Sequence, residues 1–349
     1  MDSQDGQDSS PGKIAGFGIP LLDFIAEVNE DFLARYNLDS NNSTQASQDQ
    51  LGLYVELVKH PGVQIVPGGA VPNALRIAQW LLGIPKLTIS FGCIGDDDFG
   101  RILTTRSESE GVHVQYQVHP TVGTGSCAVL ITGQNRCLCA HFAAAKQLSQ
   151  EFIENPESVK LIQSASCLYV VGYFIHTYPE IARHLASIAE RDRKTLVVNL
   201  SAAYVCQQST DLMLEMIEHA DIIFGNKMEL QALVGAVGWE ECDSHAAMQK
   251  LSSIPSKLSP CKGRHIIITH GPQPTVWCQG NQIKTFEVPQ VEEKKIVDTC
   301  GAGDAFVGGF LSQLVKKKGI EDCIRCGHYA ASQSIQKRGM TIVGSPDFR

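Results

Sequence analysis

The chain has 349 residues, enough for one large α/β domain with an appendage or for two domains. Hydrophobic residues make up 43% and charged ones 19%, the balance of an ordinary globular protein. A formal charge of −8 argues against a nucleic-acid surface as the main purpose, and no apolar run has the length needed to cross a bilayer.

In chain order, residues 1–12 (MDSQDGQDSSPG) are polar, acidic and without the basic start and apolar centre of a signal peptide. They are expected to be a disordered tail ahead of one large α/β domain spanning 13–349, in a protein of the cytosol with a nuclear presence left open. Short apolar runs at Ile14–Gly18, Leu87–Gly92, Leu168–Gly172, Thr195–Asn199, Ile222–Gly225 and His265–Thr269 read as buried strands. Between them lie amphipathic helical patterns at Val71–Leu82, Glu180–Arg191 and Asp211–Glu218. Alternation of this kind predicts a mainly parallel sheet covered on both faces, with ligands beyond the carboxyl ends of the strands. Two stretches break the alternation. Residues 22–66 carry short apolar pieces around a polar tract, and 124–142 read as a hairpin; together they are expected to form a small β-rich lid.

Near the C-terminus stands Asp298-Thr-Cys-Gly-Ala-Gly-Asp304, followed by an apolar helical face at Phe306, Val307, Phe310, Leu311, Leu314 and Val315. Lys316–Lys318 are expected in the last turn of that helix and Gly319 at its stop. A helix N-terminus binds anions through unpaired N–H groups, and Gly301 and Gly303 permit close approach of a phosphate. An acid at 304 is costly there unless it serves as a base, a pattern that suits phosphoryl transfer to a hydroxyl. The plain alternative is a glycine turn with an Asp cap.

Gly68-Gly69-Ala-Val-Pro-Asn73 and Gly95-Asp-Asp-Asp-Phe-Gly100 each follow a strand or precede a helix, and each also reads as a capped glycine turn. Asn226-Lys-Met-Glu229 puts an amide and a carboxylate on one helical face, as hard oxygen groups for Mg²⁺ with phosphates or as a capping box. No Gly-x4-Gly-Lys-Ser/Thr loop is present, and Gly16-Phe-Gly18 lacks the third small residue of a dinucleotide fingerprint. The twelve cysteines are spread through a well-cored chain and read as reduced thiols. Cys323-Ile-Arg-Cys326 lacks a second matching pair for zinc, Cys137-x-Cys139 being too short.

Taken in this order, Gly68-Gly69…Asn73, Gly95…Gly100, Asn226-x-x-Glu229 and Asp298-Thr-x-Gly-Ala-Gly-Asp304 resemble the ribokinase-like (PfkB) kinase family. Within it the chain is similar to the adenosine kinases from about Ile14 onward. That likeness is carried by Pro20-Leu-Leu-Asp23, Ala78-Gln-Trp80, Phe91-Gly-Cys-Ile-Gly95, Thr124-Gly-Ser-Cys-Ala128, Ala143-Ala-Ala145, Asn199-Leu-Ser-Ala202, Phe224-Gly-Asn226 and Gly327-His-Tyr-Ala-Ala331. The resemblance implies a three-layer α/β/α fold and transfer of the γ-phosphate of ATP, with Mg²⁺, to the 5′-hydroxyl of adenosine. A monomer is implied, with neither nucleic acid nor membrane as partner.

The resemblance also implies roles. Asp304 is the base, and Gly301, Ala302 and Gly303 are the anion hole. Arg136 neutralises phosphate. Asp23, Gly69 and Asn73 hold the ribose, and Leu21, Cys127, Leu138 and Phe174 line the nucleoside pocket. Asn226, Thr269, Gly271, Gly303 and His328 contact the nucleotide, and Asn226 with Glu229 organises Mg²⁺ and water. Three departures stand out: Ile19 where the family usually has Asn, Cys300 where Asn is common, and Asn199-Leu-Ser-Ala-Ala203 without a usual Pro. Two other readings stay open, a sugar kinase of the same family and a nucleoside-binding regulator without turnover.

Overall fold

The computed structural model describes residues 11–40, 43–133, 135–239, 242–255, 263–342 and 344–348. The expected disordered tail therefore lies almost wholly outside the described residues, and order has begun by Gly12, whose N–H donates to the Val315 carbonyl at 3.0 Å.

Fourteen strands occur among the described residues. In chain order they are β1 (Lys13–Phe17), β2 (Leu21–Glu27), β3 (Ser43–Gln45), β4 (Gln64–Gly68), β5 (Thr88–Gly95), β6 (His113–His119) and β7 (Ser126–Thr132), followed by β8 (Asn135–His141), β9 (Ala165–Val171), β10 (Thr195–Asn199), β11 (Ile222–Asn226), β12 (His265–His270), β13 (Gln273–Gln279) and β14 (Gln282–Phe286). Nine form a large sheet in the order β14-β13-β12-β11-β10-β9-β1-β5-β6. Its pairings are parallel from β6 to β12, and antiparallel only at β12–β13 and β13–β14. The ribokinase-like α/β architecture implied by the sequence is thus the one observed.

The six apolar runs read from the sequence are the six contiguous inner strands of this sheet. Helices cover both of its faces, so each inner strand is buried on two sides and gains from an unbroken apolar sequence. Phe17 of β1 stacks on Phe91 of β5 with ring centroids 4.7 Å apart. The helix Pro179–Arg191 begins with Pro at its first turn and buries Ile181, Ala182, Leu185, Ala186, Ile188 and Ala189 along one face. Each large aliphatic side chain so buried contributes about 1.5–3 kcal/mol.

The other five strands make a second sheet in the order β3-β8-β7-β2-β4. They are drawn from 21–68 and 126–141. In it β2 runs parallel to β7, with Asp23 opposite Cys127, and antiparallel to β4, with Leu21 opposite Gly68. This sheet has a core of its own around Leu22, Phe24, Phe32, Leu53, Leu57 and Leu130.

One expected detail is corrected. The helix after the Gly-Ala-Gly-Asp segment runs Ala302–Leu314 and ends before Lys316–Lys318. Lys317 has φ of +58°, which an α-helix does not allow, and Lys316 Nζ reaches the Leu81 carbonyl at 3.0 Å. Gly319 is the N-cap of the next helix, Ile320–Ser334, rather than a stop for the previous one. The lysines serve a tight connection between two packed helices.

Candidate active site

The helix Ala302–Leu314 sinks against Ala70–Leu82 closely enough that a side chain at Gly308 would strike the Ala74 carbonyl, 2.4 Å from an added Cβ. That packing brings two N-terminal turns together. Asn73, from the first turn of Ala70–Leu82, donates from Nδ2 to Asp304 Oδ2 at 3.0 Å. Asp304 is the third residue of its own helix, whose N-cap Gly301 has φ of +74°. A Cβ at Gly301 would also meet Met340 Cε at 2.5 Å, so both backbone and space demand glycine there. At Gly303 no neighbour lies within 4 Å of an added Cβ, leaving that N–H surface open.

Asp304 belongs to a cavity of about 340 Å³. Leu21, Asp23, Cys127 and Leu138 line it from the second sheet, and Gly69, Asn73, Asn226, Glu229, Thr269 and Gly301–Gly303 from the large domain. A second cavity of about 410 Å³ holds Thr269, Gly271, His328 and Gly303, with an apolar wall that includes Val288, Pro289, Val291 and Ile335. The two cavities share Thr269, Thr299, Ala302, Gly303 and Phe306. They meet at the N-terminus of the Asp304 helix.

Asp23 lies directly against Gly68, where an added Cβ would overlap its carboxyl group at 2.2 Å. Burial pushes Asp23 up to about 7, helped by the negative charge of Asp304 and opposed by Arg76. Burial likewise raises Asp304 to about 7, against the stabilising donor Asn73 and with repulsion from Glu229. Two carboxylates in one cavity thus stand poised near neutrality, the range in which a side chain exchanges protons most readily.

Asn226 and Glu229 form a complete capping box. The Glu229 N–H donates to Asn226 Oδ1 at 2.9 Å, the Asn226 N–H donates to Glu229 Oε2 at 2.9 Å, and Asn226 Nδ2 donates to Glu229 Oε1 at 2.7 Å. The capping box is thus present, and the same pair lines the first cavity. Among the described residues no cluster of three His, Cys, Asp or Glu is available to a metal ion. An oxygen pair whose acceptors are already engaged fits a hard divalent cation held mostly by water and substrate phosphates.

Arg136, on β8, crosses to the loop ahead of the helix Ala302–Leu314. Its Nη2 lies 2.9 Å from Asp298 Oδ1 and its Nη1 donates to Thr299 Oγ1 at 3.0 Å. Asp298 also accepts from the Cys300 N–H at 2.7 Å and the Gly339 N–H at 2.9 Å. His328 shares a hydrogen bond with Thr275 Oγ1 at 2.9 Å, and burial lowers its affinity for a proton.

Two sequence expectations meet a different geometry. Phe174 does not line the cavity; it is buried against Phe17 and Tyr178, while its neighbour Tyr173 faces the cavity instead. The two aromatics fall in a short helix, Gly172–Thr177, where neighbouring side chains point in different directions, and the dipeptide alone does not say which is turned inward. The Gly95–Gly100 turn is structural. Asp97 caps the helix Asp98–Ser109 by accepting from the Gly100 N–H at 2.8 Å, and also binds the Thr124 N–H at 2.7 Å. It fixes the approach to β7 rather than touching either cavity. Asn199 and Ser201 also line the first cavity, which their sequence motif signalled only through the family likeness.

A mainly parallel α/β sheet and an open, glycine-rich helix N-terminus with a buried acid beside it are the arrangement of a kinase acting on a small hydroxylated substrate. The chain belongs to the pfkB family of carbohydrate kinases, whose model matches residues 38–347. It is 36% identical over 337 residues to adenosine kinase 2 of Arabidopsis thaliana, covering 97% of each chain. The crystal structure of Anopheles gambiae adenosine kinase in complex with P1,P4-di(adenosine-5) tetraphosphate superposes with a TM-score of 0.91 at 37% identity, over 98% of this chain and 100% of that one. Adenosine kinase from Schistosoma mansoni in complex with 2-fluoroadenosine gives 0.90 at 29% identity, over 96% and 98%.

Proposed function

We propose that the chain is an adenosine kinase that transfers the γ-phosphate of ATP to the 5′-hydroxyl of adenosine, giving AMP and ADP. The observation that carries the reading is the junction of two cavities at Ala302–Gly303, one with the ribose-type acid Asp23 and the other with a largely apolar wall. Adenosine occupies the first, its ribose hydroxyls on Asp23, Gly69 and Asn73 and its base among Leu21, Cys127, Leu138 and Tyr173. A carboxylate accepts two vicinal hydroxyls at once, which suits Asp23 to a diol. ATP occupies the second, along Thr269, Gly271 and His328, with its terminal phosphate at Gly303.

Asp304 takes the 5′-hydroxyl proton as that oxygen bonds to the γ-phosphorus and the bond to the ADP oxygen breaks. The N–H groups of the helix start and the Arg136 guanidinium oppose the charge on the transferring group, the main service a loose phosphoryl-transfer transition state requires. Bound Mg²⁺ would neutralise phosphate charge, and Asn226 and Glu229 would orient its water shell. The second sheet acts as a lid, excluding the water that would otherwise take the phosphoryl group. Its strands come from the two stretches that interrupt the sequence alternation, and its Arg136 spans to Thr299. The net charge of −8 argues against a nucleic-acid surface, and among the described residues no helix is long and apolar enough to cross a membrane.

The test is ADP release from Mg-ATP with adenosine, inosine, guanosine, ribose and fructose as separate acceptors. Turnover with adenosine, and AMP as coproduct, is the expected result. Turnover with a sugar alone moves the acceptor, and adenosine binding without turnover makes the chain a regulator.

A further inference from the structure

Arg76 sits one turn beyond Asn73 on Ala70–Leu82 and is 2% exposed, yet no step of the transfer uses it. Its guanidinium is bound on three sides. Nη1 donates to the Pro67 carbonyl at 3.3 Å, Nη2 donates to the Met340 carbonyl and to Glu110 Oε1, each at 3.0 Å, and Nε donates to Glu110 Oε2. Both carbonyls lead to the acceptor cavity. Pro67 precedes Gly68, against which the Asp23 carboxyl lies, and Met340 packs its methyl group on Gly301. Met340 also follows Gly339, whose N–H is bound to Asp298.

The electrostatics converge on the same place. Glu110 is shared with Arg106 at 2.8 Å, so two guanidiniums face one carboxylate and the cluster keeps net positive charge. Asp23 is faced by Asp304 from the helix Ala302–Leu314, by Asp298 and the Cys300 thiol from the loop before it, and by the Cys127 thiol from β7. Behind these stand Glu229, which acts on Asp304, and Arg136, which is held on Asp298. Arg76 is the cation that opposes the negative charge around Asp23.

We propose that Arg76 is a positioning residue for the acceptor site, fixing the segments behind Gly69 and Gly301 and supplying the positive charge that faces Asp23. It rests on the adenosine-kinase reading above and names the group that tunes acceptor binding within it. Without Arg76, Asp23 ionises at higher pH and meets the ribose diol as a neutral acid with a weaker pair of acceptor sites.

The experiment is calorimetric titration of the full chain with adenosine alone, from about pH 6 to pH 9, the span that brackets the shifted carboxyls. Arg76→Met, Arg76→Lys and Glu110→Gln are compared with the unaltered chain. Arg76→Met is expected to move the acid limb of binding up by about one pH unit, a further loss of about tenfold in affinity below neutrality. Arg76→Lys keeps the limb in place and weakens binding at every pH, since lysine retains the charge but not the fork. Glu110→Gln moves the limb down. An unmoved limb in a folded Arg76→Met, or no downward shift in Glu110→Gln, overturns the proposal; if the methionine variant does not fold, the glutamine variant decides alone. An unaltered chain that neither binds nor phosphorylates adenosine defeats the functional reading instead.

Discussion

Burying an acid is costly, and at position 304 that cost falls on the proposed base. Asp304 is raised from an ordinary 3.8 to about 7 because the cavity withholds water from its charge. The folded chain therefore binds that proton more tightly than the unfolded one. The stabilisation this gives is complete below about pH 4, the unfolded value, and is lost as pH rises through 7. Asp304→Asn is accordingly expected to lower kcat by ~10²–10⁴-fold while raising stability at neutral pH by about 1–3 kcal/mol, read from urea denaturation. With the native acid, kcat is expected to fall about tenfold per pH unit below 7, since only the carboxylate accepts the proton. The two flanking glycines separate in the same way. Gly303→Ala should leave stability unchanged, having no neighbour within 4 Å, yet raise the KM for ATP by filling the phosphate site. Gly301→Ala, forced into a left-handed conformation against Met340, should lower stability by at least ~1 kcal/mol. Equal stability losses in the two variants would contradict this account. Asp304, Asn73 and Glu229 were legible because each sits beside a glycine or cap signal in sequence. Arg76 and Tyr173 were not, since their importance comes from segments far apart in the chain.

Elements tell a similar story about what a sequence reveals. The six inner strands could be read as apolar runs, whereas β6 (HVQYQVH), β13 (QPTVWCQ) and β14 (QIKTF) mix polar residues through their length and escaped notice. They lie at the two margins of the large sheet, where burial is incomplete and the sequence is free to be polar. The capping box at Asn226 shows how one local signal carries two meanings. Glu229 both closes the N-terminus of Lys227–Val237 and faces the cavity. Glu229→Gln keeps one acceptor oxygen for the cap, so a stability loss near 1 kcal/mol is expected. The Mg²⁺ concentration for half-maximal turnover should rise severalfold. A helix end that served structure alone would show the first change without the second.

At the level of the whole molecule, the two sheets divide the labour. The large sheet and its helices carry the proposed anion hole, base and nucleotide cavity, and the second sheet supplies Asp23, the apolar residues Leu21, Cys127 and Leu138, and Arg136. The first cavity, the proposed acceptor site, lies where they face each other, and this is why the order of motifs along the chain pointed to it while their separate meanings stayed ambiguous. The thiols offer a direct view of that meeting place. Of the eleven cysteines among the described residues, nine are buried and only Cys242 and Cys300 are partly accessible. Burial and the surrounding acids push Cys300 up to about 12, so it reacts slowly, but it lines the acceptor cavity. An alkylating reagent followed by mass spectrometry should therefore label Cys242 regardless of ligand and Cys300 only while adenosine is absent. The position where the family commonly carries an amide thus gives this enzyme a natural footprint, a covalent record of how often its acceptor site stands empty.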